Sequence, residues 1–460
     1  MSSKTRGLLT RHPEGSVQEL WAISFPLILS ILSVNVMTFI DRLILAKYDL
    51  RAMNAAVVAG LVFSIFQFGT VGIAAISEVF VGQYNGAKKF SRMGAPVWQM
   101  IWFSLMTTLI FWPLGLFAGG LFIPNPEFVA DGIPFFKWMM IFGPSFPLAT
   151  ALASFFVGRG RVKLVMSATI LSNLLNICLD FILIFGVKGY LDPMGAKGAA
   201  IATGISQLVQ AIVLFIVFLR RRHRETHGTC EWRFRPKAFL QAIYIGVPAS
   251  LSSIIELSAW SILAQILAKV SEAHITFFSI GDSFFVLFSF GFWGLQKGLT
   301  ALVANYIGAK REEMIGACLR SGIKIVLGIM LIFTIPLFFF PEVLVQQFIN
   351  ADNYGINEEL MQHAASAMKW LWMYFMLDAI AWLICGVLTA AGDTKFVMIM
   401  NGLSAWLFSI VPTYIFVVYL GGSPAVTWAL CALYGLLNSV SFYFRYRSKR
   451  WYADQPLHAW

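Results

Sequence analysis

Seven ionisable residues stand inside apolar stretches of this chain: Asp41, Glu78, Asp180, Glu256, Asp282, Lys297 and Asp378. Such groups are costly in a low-dielectric setting, so those that persist usually pair, hold a cation or move a proton. Desolvation disfavours the charged form of a carboxyl group, which can then load a proton near neutral pH. Clustered carboxylates with hydroxyl or carbonyl oxygens can instead hold a hard cation. Asn176 lies one helical turn before Asp180, and Asn173 close to two, so all three share a face. Tyr374 stands four residues before Asp378, which puts its phenol within reach of the carboxylate or of an ion shared with it. Glu256 follows the hydroxyl-rich stretch from Pro248 to Ile255. Asp282, Glu78 and Lys297 have simpler readings. Asp282 is near the outer surface. Glu78 lies roughly 15 Å from a basic loop cluster and can pair with it or snorkel. Lys297 sits near mid-membrane as a counter-ion for one of the carboxylates.

The elements that must position these residues follow from composition. Of the 460 residues, 58% are hydrophobic and 12% charged, with 42 Phe. One soluble core cannot hide that much apolar surface, and a disordered chain needs the opposite balance. Apolar runs long enough to span a bilayer predict twelve helices, near residues 20–46, 52–82, 94–118, 132–158, 162–186, 196–219, 238–268, 275–307, 316–340, 360–389, 395–420 and 424–446. No stretch alternates like a barrel strand. With the N-terminus cytoplasmic, 24 Lys and Arg fall in inner segments and seven in outer loops. This asymmetry predicts that both termini are cytoplasmic. No cleavable signal peptide is expected, because no small-residue cleavage site follows the first apolar run.

The longest basic segment, Arg220 to Lys237, falls at the middle of the chain. The stretch Gly82 to Lys89 resembles Ala304 to Arg311 at a shift of 222 residues, and the same shift carries Pro26 onto Pro248 and Gly72 onto Gly294. Gly160, Lys163, Val165 and Met166 repeat as Gly392, Lys395, Val397 and Met398. Each half has an even number of spans, so the repeats run parallel, about an axis along the membrane normal. The expectation is an all-α polytopic membrane protein, with twelve transmembrane helices in two pseudo-twofold-related six-helix bundles. Residues 1–219 and 238–446 form the lobes, 220–237 a cytoplasmic linker and 447–460 a cytoplasmic tail. At 1.5 Å per residue, Asp41, Asp180, Glu256, Asp282 and Asp378 all fall in the outer half of the bilayer.

Internal duplication is typical of secondary transporters. The chain has no Walker A pattern, metal-like His/Cys cluster, serine elbow or dinucleotide fingerprint. Its six His lie in loops or near span ends, and its five Cys show no paired spacing. An enzyme is therefore not expected, nor a cofactor, nor a nucleic-acid partner despite the net charge of +11. An ion gradient is the remaining energy source, and the lipid bilayer the surrounding partner of a single, monomeric chain.

The stretch Phe39-Ile40-Asp41-Arg42-Leu43-Ile44-Leu45-Ala46, with Pro26 fifteen residues before Asp41, resembles the first helix of the multidrug and toxic compound extrusion (MATE) family. Asn176 and Asp180 resemble the fifth-helix motif of its DinF-like branch, although Phe181 stands where that motif usually has Pro. Gly198 to Thr203 resembles the start of the sixth helix. Glu256, Tyr374 and Asp378 resemble the second-lobe cation site of the NorM-like branch, and Ala391 to Lys395 the loop before helix eleven. Arg42 and Lys297 are not family residues. The resemblance implies export of cationic, often aromatic compounds from the cytoplasmic (inner) membrane by proton antiport, with sodium as the alternative. It also implies a first-lobe coupling site of Asp41, Asn176, Asp180 and Thr203, and a second-lobe site of Glu256, Tyr374 and Asp378, where a sodium ion would sit on Glu256 and Asp378. Pro26 is the expected hinge. The runner-up is a flippase for lipid-linked saccharides of the same superfamily. The five acids in the outer half disfavour it, because an anionic headgroup needs bases.

Overall fold

The computed structural model describes residues 7–123, 126–346 and 354–452. Twelve helical spans follow in order: α1 (Val17–Tyr48), α2 (Leu50–Gly86), α3 (Phe90–Phe117), α4 (Phe128–Val157), α5 (Val162–Phe185), α6 (Gly195–Phe218), α7 (Pro236–Val270), α8 (Glu272–Gly308), α9 (Glu312–Phe339), α10 (Met361–Ala390), α11 (Thr394–Tyr419) and α12 (Pro424–Arg447). Each predicted span is a helix, mostly longer than the apolar run that announced it. The structure adds irregularities that hydropathy does not see. Span α2 breaks at Ile76. Span α8 bends by 45° between Val286 and Ser289. Span α11 carries π-helical turns at Trp406–Ile410 and Tyr414–Tyr419, on either side of Pro412, and α9 ends in one that contains Pro336. Proline lacks the N–H that an α-helical ladder needs, so the ladder widens around it. Pro26, by contrast, lies within one continuous α1, where the Ser30 hydroxyl donates to its carbonyl at 3.0 Å.

The repeat is legible in the backbone. Spans α2 and α8 end alike, with Lys88 and Lys310 both at φ 57°. In each, the next N–H reaches back to a carbonyl five residues earlier: Lys89 to Tyr84 and Arg311 to Tyr306, both at 2.9 Å. Spans α4 and α10 end the same way, on Gly160 (φ 70°) and Gly392 (φ 85°). These are Schellman caps, which satisfy the last carbonyls of a helix by turning one residue left-handed. Four caps thus occupy the four positions that the two sequence repeats relate.

The contacts between the halves repeat as well. Gly72 of α2 lies against Ser250 of α7, and Gly294 of α8 lies against Ile28 of α1. A shift of 222 exchanges these two contacts, as a twofold relation requires. Gly82 meets Ala304, its own repeat partner, so the related ends of α2 and α8 lie on one side of the molecule. An inverted repeat would have separated them.

At that end the halves are sealed. A Cβ on Gly86 would lie 1.8 Å from the Asn305 oxygen, and one on Gly308 would lie 1.9 Å from the Gln83 oxygen. Asn85 donates to Asn305 Oδ1 at 2.6 Å, Asn305 to the Gly158 carbonyl at 2.8 Å and Gln83 to the Ala390 carbonyl at 2.8 Å. The segment before α1 straps across the seam. Glu14 pairs with Arg311, Ser321 donates to the Gly15 carbonyl at 2.6 Å, and Tyr306 donates to buried Glu19 at 2.8 Å. Gly308→Ala cannot keep this approach, because backbone is what its methyl would meet. Overpacking of this kind costs about 1–3 kcal/mol, enough to shift a conformational balance of similar size. Spin labels at exposed positions 88 and 310 are expected to move apart in that variant; an unchanged distance distribution would show that the seam adjusts without opening.

The central basic segment is not a free loop. It forms a short helix, Arg221–His227, that ends at left-handed Gly228. It is then held by α3: Trp98 donates to the Thr229 carbonyl at 2.9 Å and Trp102 to the Trp232 carbonyl at 2.8 Å. The end of the predicted tail, beyond Tyr452, lies outside the described residues.

Candidate functional site

Asp41 sits in the last third of α1, Asn176 and Asp180 in α5, and Thr203 in α6. The three helices pack on one another, so these residues meet in the interior of the first half. Asn176 and Asp180 are fully buried, and Asp41 is half-buried. With its nitrogen turned to Asp41, the Asn176 amide donates to Asp41 Oδ1 at 2.8 Å, and its oxygen accepts from the Thr203 N–H at 3.2 Å. This orientation gives both ends of the amide a partner. The Thr203 hydroxyl turns back to the Ala199 carbonyl at 3.0 Å, so Thr203 serves through its backbone. One turn down, Asn173 donates to Ser33 at 2.7 Å, a second link from α5 to α1 that the sequence reading left out.

The carboxyl groups of Asp41 and Asp180 are in direct contact. Neither oxygen of Asp180 receives a hydrogen bond among the described residues. Two carboxylates in contact repel unless a proton lies between them. No ion pair neutralises either one among the described residues; Arg42 follows Asp41 in sequence and acts on it only through its charge. The chemistry this pocket offers is the capture and release of a proton. Span α5 runs unbroken from Val162 to Phe185, and Phe181, where the resembling motif has Pro, is exposed on its outside.

In the second half, α7 supplies Glu256 and α10 supplies Tyr374 and Asp378. Tyr374 and Asp378 are buried, whereas Glu256 is partly exposed. The Tyr374 hydroxyl donates to Asp378 Oδ2 at a long 3.5 Å, and Asp378 Oδ1 receives no hydrogen bond among the described residues. Glu256 is close enough for its charge to act on Asp378, and the Trp260 indole lies close enough to act on Glu256. The ring of Trp260 packs against Tyr374 at 5.7 Å and against Tyr434 at 5.9 Å, and Phe285 and Trp428 also pack on Tyr374 at 6.0 and 5.9 Å. The Tyr374 phenol is thus walled by aromatic rings, with the Asp378 and Glu256 carboxyl groups beside it. The sequence reading missed Trp260, although its spacing of four from Glu256 was a usable signal. It also missed the link from Asn401 to Ser252 at 2.8 Å, which ties α11 to α7 beneath this cluster.

The other three candidates belong to neither pocket. Glu78 does not reach the basic loops. It is buried on the lower part of α2. The charge of Lys297 acts on Glu78 across the boundary between the halves, but the two form no ion pair among the described residues, and Glu78 Oε1 has no hydrogen-bond partner there. Asp282 is exposed on α8, and none of the other carboxylates among the described residues acts on it.

The profile of the MatE family matches twice, over residues 26–182 and 248–415. A probable multidrug resistance protein NorM of Thermotoga maritima is 23% identical over 88% of each chain. The multidrug resistance protein PmpM of Pseudomonas aeruginosa is 22% identical over 87% of this chain and 83% of its own. An outward-facing multidrug resistance MATE transporter of the MOP superfamily superposes with a TM-score of 0.84 at 18% identity, covering 97% of this chain and 98% of that one. A MOP superfamily transporter from Pyrococcus furiosus, described as having a binding pocket of reversed polarity, gives 0.81 at 17% identity with the same coverage. The double profile match covers most of the sequence, and the chain belongs to the MatE family of membrane transporters.

Proposed function

We propose that this protein exports organic cations by antiport against protons, alternating between states open to either side of the cytoplasmic membrane with both termini cytoplasmic. The observation that carries this reading is the contact between Asp41 and Asp180, two carboxyl groups in one pocket that no ion pair neutralises among the described residues. A proton reaching half-buried Asp41 is shared with fully buried Asp180 and removes the repulsion between them. The Asn176 amide then changes its bond to α1. Pro26 already leaves one backbone bond of α1 unmade, so this helix bends at low cost. Bending reshapes the cleft, and the cation leaves outward. The state described here, sealed by Gly86, Gly308 and the strap before α1, is the one that releases outward. The Glu256, Tyr374 and Asp378 cluster is the second coupling position, and sodium, if it drives transport, would bind there. A flippase is disfavoured, because both buried clusters are acidic.

Uptake of a fluorescent organic cation into everted vesicles, with proton and sodium gradients imposed separately, tests this. A proton gradient alone is expected to drive uptake. Uptake driven by sodium alone would transfer coupling to the second half, and uptake driven by neither would refute antiport. In the same vesicles Pro26→Ala restores the α1 ladder and stiffens the hinge. Its transport rate is expected to fall about tenfold, equivalent to roughly 1.4 kcal/mol of barrier, with drug affinity unchanged. An equal loss of affinity would place Pro26 in the pocket and not in the hinge.

A further inference from the structure

A second polar region lies far from both carboxylate clusters, at the end of the molecule that bears the basic loops. A cavity of about 790 Å³ opens between the turn joining α4 to α5, the end of α6 and the short helix after it. Arg159, Arg161, Lys163, Arg220 and Arg222 line it together with two His, and among the described residues no Asp or Glu does. A neighbouring cavity of about 430 Å³ shares Arg159, Arg161 and His227 and extends toward the seam at Asn85.

Basic residues at a membrane surface usually project into water or among headgroups. Arg159 does not. Its Nη1 is buried and unpartnered among the described residues, while its guanidinium lies 4.7 Å from the Phe155 ring centre. Burial and the positive charges of Arg161 and Arg222 pull Arg159 down to about 10. Burial, Arg159 and the other cations around it pull His227 down to about 4. Like charges are thus held together without a counter-charge among the described residues. The N-terminus of α5, a helix of 24 residues, also borders the cavity, and no side chain caps it. Its free N–H groups and partial positive charge add to the same field.

We propose that this cavity is a binding site for a phosphate-type anion, supplied either by the headgroup of an anionic lipid or by a soluble phosphate ester. Arg159 and Arg222 are its principal contacts, since a guanidinium fork matches phosphate oxygens. The site does not depend on which ion drives transport. Thr10, from the strap before α1, also lines the cavity, so a bound anion would lie against the segment that seals the two halves.

The test uses the full chain in phosphatidylcholine nanodiscs, with melting temperature as the readout. In one arm sodium pyrophosphate is added against sodium chloride of equal ionic strength. In the other, phosphatidylglycerol replaces part of the phosphatidylcholine. At least one arm is expected to raise the melting temperature by about 2–4 °C. A response to lipid alone identifies a headgroup site, and a response to pyrophosphate alone a soluble ligand. The double variant Arg159→Gln, Arg222→Gln should lose the response while melting no lower than wild type without ligand, because it relieves unpaired charge. The charge-matched double variant Arg447→Gln, Lys449→Gln, on the other half, should keep it. No shift in either arm, or the same loss in both double variants, would overturn the proposal.

Discussion

Asp41→Asn is expected to reduce proton-driven efflux to the background of vesicles lacking the protein, and to leave the protein folded. Asparagine has the size of aspartic acid and mimics its protonated form, but it has no proton to release. Its amide can still accept from Asn176, which donates to Asp41 at 2.8 Å. It can also donate to the oxygens of Asp180, which have no donor now among the described residues. A hydrogen bond made to an orphaned buried acceptor is worth about 1 kcal/mol or more. The variant should therefore melt at or above the wild-type temperature while transporting nothing. That combination separates a coupling role from a structural one. If Asp41→Asn transports normally, the carboxylate is a helix-end cap and the coupling scheme is wrong. If it is inactive because it unfolds, the melting curve will show it.

In the second half, Glu256→Gln and Asp378→Asn are each expected to slow efflux at least about tenfold, and the double variant should be little worse than either alone. Groups that hold one cation act as a unit, so removing the second adds little once the first is gone. Tyr374→Phe should cost far less, because its hydrogen bond to Asp378 is 3.5 Å long and a weak one of that kind contributes about 1 kcal/mol at most. Losses that multiply in the double variant would mean that Glu256 and Asp378 serve separate sites.

The fold was legible because a bilayer leaves few alternatives. Apolar runs had to be helices, and the 222-residue repeat had to appear as a spatial one. It does so down to the paired left-handed caps at Lys88 and Lys310. The first-half cluster could be read from local spacing and depth. Asn176 and Asp180 are one turn apart, and a rise of about 1.5 Å per residue puts Asp41 at a similar height on α1. What stayed hidden depends on contacts between elements distant in sequence. Lys297 could be counted as an intramembrane cation, but that its charge acts on Glu78 is fixed by how α2 and α8 cross. The break at Ile76 has no proline to announce it. The central basic segment read as a tether because its charges say only which side it occupies. That it docks on Trp98 and Trp102, and crowds five fixed cations around one cavity, is a property of the folded chain.

The central claim is that outward movement of a cation is exchanged for inward movement of protons through the Asp41 and Asp180 pair. It is tested most directly in proteoliposomes containing a trapped pH-sensitive dye, clamped at zero membrane potential, with sodium absent. Addition of an organic-cation substrate to one side should drive protons to that side in wild-type vesicles and in none made with Asp41→Asn. Substrate entry without any proton movement, or entry that begins only when sodium is supplied, would contradict it.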